Sequence, residues 1–271
     1  MTFVGSDERP VLLPGALVGD AADGTVKSVA KVLDLLEHLG AAGQPVGISD
    51  LARAAGLHVS TAHRLLRTLV RRGYVEQRSD TRRYALGPRV HALGGAYLGG
   101  SDLVGAAYPV IEELRDRLGE TIHVAVWDDG QVLEVCHAET TQPVGVSLRL
   151  GRRDPAHATA IGKVLMAARG RAEVDRLLAG PLVAVTGHTV TATAKLRCEI
   201  ERVRAQDYAV DDEELADGLC CVGVPVRDRH GRVVAGLSVA MPKARFDAAR
   251  IPEWVAMLRA AADGLAGRLA G

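Results

Sequence analysis

The sequence is poor in cysteine and in aromatic residues, and it has no long apolar run. Cys136, Cys198, Cys220 and Cys221 are the only thiols in 271 residues. Four thiols, two of them adjacent, make no disulfide framework and contain no C-x-x-C pair for zinc. Aromatic residues are 3% of the chain, too few for a platform that stacks the bases of single-stranded nucleic acid. No apolar stretch reaches the roughly 18 residues of a membrane helix, so no membrane partner is expected. The opening MTFVGSDERPVLLPG has neither a basic start nor a long apolar centre. It reads as no secretory signal, and a cytoplasmic location is the expectation. A nucleophile elbow, a phosphate-binding loop and an H-E-x-x-H pair are also absent. No residue is therefore nominated as catalytic or metal-binding, and no cofactor is expected.

The net charge is zero, yet its distribution is uneven. Residues 25–90 hold eleven Lys and Arg against five acids, while residues 1–24 and 91–271 each carry an excess of three acids. A basic segment joined to acidic ones points to a nucleic-acid-binding module attached to something else. The length allows one or two domains at roughly 100–200 residues each.

Residues 1–24 show no apolar period and read as a flexible arm. From Lys27 onward a helical period appears in Val29, Val32, Leu33, Leu36 and Leu39, ended by Gly40 or Gly43. Ser49 is placed to cap a second helix carrying Leu51, Ala52 and Ala55, which Gly56 stops. A third helix begins at His58 or Ser60 and turns Ala62, Leu65, Leu66, Leu69 and Val70 inward before Gly73. YVEQRSDTRRYALG then reads as a hairpin turning at SDTR. Three helices and a hairpin make a winged helix-turn-helix domain over residues 25–87. Residues 88–101 are expected to form a linker helix, and the helical run to 118 is expected to kink or restart at Pro109.

Residues 102–271 alternate strands and helices. Hairpins are expected at Asp129-Gly130 and at His230-Gly231, with helices over ATAIGKVLMAA, from Thr193, and from Pro252. This is an α+β domain with a mostly antiparallel sheet.

The outer side of the third helix carries Thr61, His63, Arg64, Arg67, Arg71 and Arg72. Positions 64, 67 and 71 are three and four apart and share a stripe. Arginine suits duplex DNA doubly, because it neutralises phosphate and can bond a guanine edge through two N–H groups. Early residues of a recognition helix meet bases and later ones meet backbone. Ser60, Thr61, His63 and Arg64 are thus candidates for base contact, and Arg71 and Arg72 for phosphate contact, with Arg67 between. Arg78, Arg82 and Arg83 at the wing tip are expected to reach the flanking backbone or minor groove. A plain solvated helix face is the competing reading of the stripe. The ordered set of helix, turn, arginine-rich helix and basic hairpin weighs against it.

VKSVAKVLDLLEHLG, with GISDLARAAGLHVSTAHRLLRTLVRRGYVE, resembles the amino-terminal domain of the isocitrate lyase regulator (IclR) family. GRRDPAHATAIGKVLMA and DYAVDDEELADGLCCVGVPVRDRHGRVVAGLSVAMP are similar to two segments of its carboxy-terminal domain. The likeness runs from about Lys27 to Arg268. It implies a homodimeric or homotetrameric transcription factor, most often a repressor, with a GAF-like domain that binds a small effector. The partners to expect are a near-palindromic double-stranded operator and a small carboxylic acid.

A helix opening at HATAIGK leaves backbone N–H groups near Ala160 and Ile161 without partners, which suits a carboxylate. The last strands can bring Asp211, Cys221 and Ser238 to the same cavity. In similar proteins the positions of Ala160, Ile161, Asp211, Cys221 and Ser238 line the effector pocket. Two departures stand out. A second pocket serine of some relatives is Ala240 here, and an often aliphatic position before Pro155 is Asp154, following Arg152 and Arg153. An added carboxylate disfavours a simple carboxylate ligand unless an arginine neutralises it. The competing reading of Ser238 and Cys221 is strand packing. The competing function is a GAF-like thiol enzyme or a redox or metal sensor built on Cys221, with His123, Cys136, His137 or His157 as neighbours. No known ligand spacing supports that set.

Overall fold

The computed structural model describes residues 26–100 and 102–269. The arm expected over 1–24 lies outside the described residues. Two compact units meet in sequence between Tyr97 and Leu98, inside the segment expected to link them. No described helix is long and apolar enough to cross a membrane.

The first unit runs α1 (Lys27–Ala42), α2 (Ile48–Ala54), α3 (Val59–Arg71), β1 (Val75–Gln77) and β2 (Tyr84–Leu86), and leads into α4 (Pro88–Gly100). Leu35 and Leu39 of α1, Leu51 of α2, and Leu66 and Leu69 of α3 close one apolar cluster with Val75 and Tyr84. Each such leucine contributes about 1.5–3 kcal/mol by leaving water. The expected face of α1 is out of phase. Leu35 is fully buried, while Val29 and Leu33 stay 54% and 52% exposed. Six aliphatic residues between 29 and 39 fit more than one helical stripe, so spacing alone does not choose among them.

Ser49 does not cap α2. Gly47 is the N-cap, with no side-chain bond, and Ser49 sits in the first turn. The end of α2 makes the turn of the motif. Leu57 N–H donates to Ala52 O at 2.7 Å and Gly56 N–H to Arg53 O at 3.2 Å, with Gly56 at φ +61°. This left-handed close needs a residue without Cβ, and it turns the chain straight into α3. Beyond α3, β1 and β2 pair antiparallel with Val75 opposite Leu86. Val46 adds a bridge to Tyr84, which ties the wing to the α1–α2 connection.

The second unit opens with α5 (Asp102–Leu118), which runs through Pro109 without restarting there. The bond that proline removes is outweighed by burial of Val104, Ala107, Ile111 and Leu114 on one side. β3 (Thr121–Asp128), β4 (Gln131–Ala138), β5 (Arg153–Pro155), β6 (Ala209–Asp212), β7 (Leu219–Arg227) and β8 (Val233–Pro242) form one sheet in the order β5-β4-β3-β8-β7-β6. Every neighbouring pair is antiparallel. α5 and α9 (Ile251–Arg268) cover one face. α6 (Ala160–Ala167), α7 (Arg171–Ala179) and α8 (Thr193–Gln206) cover the other. β7 is apolar on both sides because it is covered on both sides.

One irregularity sets the direction of a side chain. Simple alternation along β4 would place Glu134 on the face of Cys136 and Ala138. The ladder with β3 instead pairs Val124 with Cys136 and Ala125 with Glu134, leaving Val135 as a bulge. Cys136 and Ala138 therefore pack toward α5 and α9, while Val132 and Glu134 face the α6 side.

Candidate functional site

The first site lies on α3 and the wing. His58 is the N-cap of α3 and makes no side-chain cap bond. Ser60 is exposed and Thr61 half-buried at the helix start. His63, Arg64, Arg67, Arg71 and Arg72 are exposed along the side opposite Ala62, Leu66 and Leu69. Among the described residues none of these four arginines has a carboxylate within ion-pair reach, whereas Arg53 of α2 is held by Asp50 at 3.1 Å. Four uncompensated guanidinium groups on one helix give a concentrated positive face that is open to an anion. At the wing tip Arg78, Arg82 and Arg83 are all exposed. The tip is closed by Arg78 N–H to Arg83 O at 2.8 Å. Arg83 differs from the others: its Nη1 donates to Pro45 O at 3.3 Å and so draws its head back toward the α1–α2 connection.

The second site is a cavity on the α6 side of the sheet. Ala160, Ile161, Asp211, Cys221 and Ser238 all line it, together with Asp154 and Ala240. A 3-10 turn over Ala156–Ala158 leads into α6, and Thr159 caps it by accepting from Gly162 N–H at 2.9 Å. The N–H groups of Ala160 and Ile161 remain at the open helix end, where the helix dipole favours an anion. Gly162 permits this approach, since a Cβ there would lie 2.0 Å from Ala156 O.

The floor of the cavity is polar across five successive strands. Glu134 comes from β4, His123 from β3, Ser238 from β8, Cys221 from β7 and Asp211 from β6. His123 stands opposite Ser238, and Cys221 opposite Asp211, in the ladders. His123 Nδ1 lies 2.9 Å from Glu134 Oε2. With a carboxylate beside it, Nδ1 carries a proton and donates to Glu134 Oε2. Asp211 Oδ1 accepts from Glu214 N–H at 2.7 Å and Leu215 N–H at 3.4 Å. Burial nevertheless pushes the Asp211 carboxyl up to about 7. Asp154 is also raised by burial, against the pull of Arg152. Arg152 Nε holds Asp154 Oδ1 at 2.8 Å, so this added carboxylate has the neutralising arginine that a carboxylate ligand requires. The cavity volume is about 30 Å³, enough for a water molecule but far below the roughly 300 Å³ at which organic-ligand pockets begin. The coil of residues 139–152 contributes Leu148, Arg149 and Arg152 to the wall.

Behind the floor lies Lys163, fully buried in α6. Its Nζ donates to Glu199 Oε1 at 2.7 Å, to Val210 O at 3.2 Å and to Glu214 Oε1. Because Glu214 N–H is a donor to Asp211, this ion cluster fixes the segment that holds Asp211 in place. Glu134 and Arg149, which line the cavity, and Lys163 behind it are not among the residues the sequence singles out, and His123 enters there only as a neighbour of Cys221 in the thiol or metal reading. The bulge at Val135 parts the direction of Glu134 from that of Cys136, and no local pattern marks Lys163 as buried.

Cys221 does not behave as a reactive thiol. Burial raises it well above the ordinary thiol range, and it packs with Ala160 and Ala240. Burial likewise raises Cys136 and Cys220 to about 12. His157 is held by Val183 O at 3.0 Å. No group of three or more metal-ligating side chains occurs among the described residues. The reading of Cys221 as a catalytic, redox or metal thiolate therefore loses its chemical basis, because the thiolate is the reactive form.

Comparison with known proteins covers nearly the whole chain. A family model described as IclR helix-turn-helix domain matches residues 28–79. One described as bacterial transcriptional regulator IclR C-terminal matches residues 95–266. The chain is similar to the HTH-type transcriptional regulator KdgR of Escherichia coli K12, with 37% identity over 92% of this chain and 95% of that protein. It is also similar to the transcriptional repressor IclR of the same organism, with 32% identity over 89% of each. Among solved structures, an IclR homolog from Microbacterium hydrocarbonoxydans complexed with 4-hydroxybenzoate matches with TM-score 0.78 and 28% identity, covering 89% of this chain and 98% of that one.

Proposed function

The chain belongs to the IclR family of bacterial transcriptional regulators, and from that premise we propose that it represses a catabolic operon whose small organic acid it senses. It is a regulator rather than an enzyme. The observation that carries the proposal is the uncompensated arginine stripe on the second helix of the helix-turn-helix. Two copies related by twofold symmetry present their α3 helices to successive major grooves of a near-palindromic operator. Ser60, Thr61, His63 and Arg64 read bases, with Arg67 at the border. Arg71 and Arg72 hold phosphate, and the wing residues Arg78, Arg82 and Arg83 flank the site.

The acid binds in the cavity of the second unit, its carboxylate on the N–H groups of Ala160 and Ile161, beside Asp211, Cys221 and Ser238. A neighbour in fold that holds 4-hydroxybenzoate supports an acid as ligand. Binding changes operator affinity, a coupling of typically about 1–3 kcal/mol. The assembly is a homodimer or a homotetramer.

The test is anisotropy of labelled duplexes from the chromosomal region flanking the gene, against scrambled duplexes, at several salt concentrations. Selective binding that weakens steeply with salt is the expected result. Equal affinity for flanking and scrambled duplexes overturns the proposal.

A further inference from the structure

Among the described residues, six buried side-chain polar atoms have no hydrogen-bond partner within the chain. Three of them, His123 Nε2, Glu134 Oε1 and His137 Nδ1, sit on adjoining side chains of β3 and β4. The two histidines stand opposite each other in the ladder. His123 is tied to Glu134 Oε2 through Nδ1, whereas His137 is tied to nothing. It lies between two carboxylates, with Nδ1 3.9 Å from Glu134 Oε1 and Nε2 3.9 Å from Glu139 Oε1. Both gaps are too long for a hydrogen bond. A neutral imidazole carries one N–H and serves one of these carboxylates at most, while an imidazolium carries an N–H at each nitrogen. One proton on His137 therefore gives a donor to each side and pairs two of the orphaned atoms at once. The charge balances as well, since two protonated rings face the two carboxylates Glu134 and Glu139.

Glu139 connects this cluster to the coil of residues 139–152, because its Oε1 also accepts from Ser147 Oγ at 2.8 Å. The coil has fixed anchors before and after that point. Thr140 Oγ1 donates to Gly119 O at 2.6 Å, Thr121 Oγ1 to Val146 O at 2.7 Å and Arg245 Nη1 to Val144 O at 2.9 Å. At the far end Gly151 N–H donates to Glu134 O and Glu134 N–H to Arg152 O, each at 2.9 Å. Between the anchors lie Leu148 and Arg149, which wall the cavity, and Leu150, which is exposed. The other charged or titratable groups here are Arg149 and Arg152 of the coil, Asp154 of β5, Asp211 of β6 and Cys221 of β7, which line the cavity, with Lys163 behind them. Arg152 Nε is taken by Asp154 Oδ1 at 2.8 Å. Among the described residues, Glu134 and Glu139 are the carboxylates within ion-pair reach of His137.

We infer that His137 is a proton-operated fastener: charged, it draws Glu139 and the coil bound to it against the sheet, and neutral, it lets them go. With the coil down the ring meets both carboxylates, and with the coil loose it meets Glu134 alone, so protonation and fastening support each other. Fastening is complete at low pH and is lost as pH rises through the range in which histidine changes charge. Acidification thus holds Leu148 and Arg149 over the cavity, and neutral pH frees them, whichever compound the cavity takes.

The test is amide hydrogen exchange on the full chain at about pH 5.5 and about pH 7.5, corrected for the intrinsic pH dependence of exchange. Gly151 N–H bonds Glu134 O, and Arg152 N–H bonds Arg149 O at 3.2 Å, so these two amides report whether the coil is down. Their protection is expected to be about three- to tenfold greater at the lower pH. His137→Gln, which cannot take up the proton, is expected to level that difference. Glu139→Gln removes the second carboxylate at an exposed position; it is expected to do the same and serves if His137→Gln does not fold. His230→Gln, at the exposed β7–β8 turn, is expected to keep the difference. Equal protection at the two pH values in the parent overturns the fastener. So does a difference that survives at full size in either variant, which would then belong to Asp211, whose titration near pH 7 has the same sign. Loss of the difference in His230→Gln overturns it too, because it would reflect histidine charge in general. Histidine ring resonances, assigned with His137→Gln, give a second reading: a His137 that stays neutral at about pH 5.5 refutes the device.

Discussion

Replacing Asp211 with asparagine is expected to make the second unit more stable as pH rises. Asp211 has no exposed surface, and burial moves its carboxyl from 3.8 to about 7. The folded-state value lies above the unfolded one, so between pH 4 and 7 the unfolded chain releases a proton that the folded chain keeps. Stability falls across that window, and the penalty is fully present above it. A difference of some three pH units, at about 1.36 kcal/mol per unit, sets an upper limit of about 4 kcal/mol. Asparagine carries no charge, and its carbonyl oxygen can accept from Glu214 N–H and Leu215 N–H as the carboxylate does. The stability of Asp211→Asn minus that of the parent should therefore climb from pH 4 to pH 8 by as much as 4 kcal/mol, or about 2–4 °C in Tm for each kcal/mol. Urea unfolding followed by tryptophan fluorescence reads the right unit, because Trp127 and Trp254 both lie in it. Lys163 and Glu214 are present in both proteins and largely cancel in the difference. A difference that stays level from pH 4 to pH 8 would refute the argument, since Asp211 would then ionise as freely in the folded state as in the unfolded chain.

Arg64→Ala should weaken operator binding by about 1–3 kcal/mol and relax one base position. Arg71→Ala should weaken all duplexes alike and flatten the salt dependence. Anisotropy on operator variants separates the two, and interchanged behaviour would reverse the assignment. Lys163→Met should destabilise the second unit by about 3–5 kcal/mol, because Glu199 and Glu214 lose their buried counter-charge. Adding Glu214→Gln should recover part of it, and a loss below about 1 kcal/mol in the urea assay would speak against a tight cluster. Gly162→Ala should cost about 1–3 kcal/mol or more, because its Cβ would collide with the Ala156 carbonyl. Parent-like stability would show that the approach of α6 to that turn is looser than described.

Local chemistry made much of the fold legible. The inward stripe of α3, the two hairpin turns at Asp129-Gly130 and His230-Gly231, and the start of α8 at Thr193 all rest on short-range signals, and all fall where those signals place them. Ala160, Ile161, Asp211, Cys221 and Ser238, expected to meet an effector, line one cavity, but the resemblance brought them together, not their spacing. What stayed hidden depends on long-range packing. α1 has more aliphatic residues than one stripe holds, so the choice of Leu35 over Leu33 is made by α2 and α3. Pro109 stays within a helix because the buried side of α5 outweighs a missing bond. Lys163 is charged and would be placed in solvent by any rule of composition, yet three elements converge to satisfy it. Glu134 follows Val132 by two and precedes Cys136 by two. Nothing in the order of residues tells that the pattern skips a beat between them.

β4 is in effect two reading frames spliced at Val135. Deleting that residue would regularise the ladder while leaving Glu134 in its frame and Cys136 in the other. Deleting Leu133 would invert everything upstream of it and bring Val132 out of the oily layer under α6. Of these two deletions, only the one at Val135 keeps both Val132 and Glu134 on the α6 side. Descendants of this gene can change strand length there without rewriting what the cavity recognises.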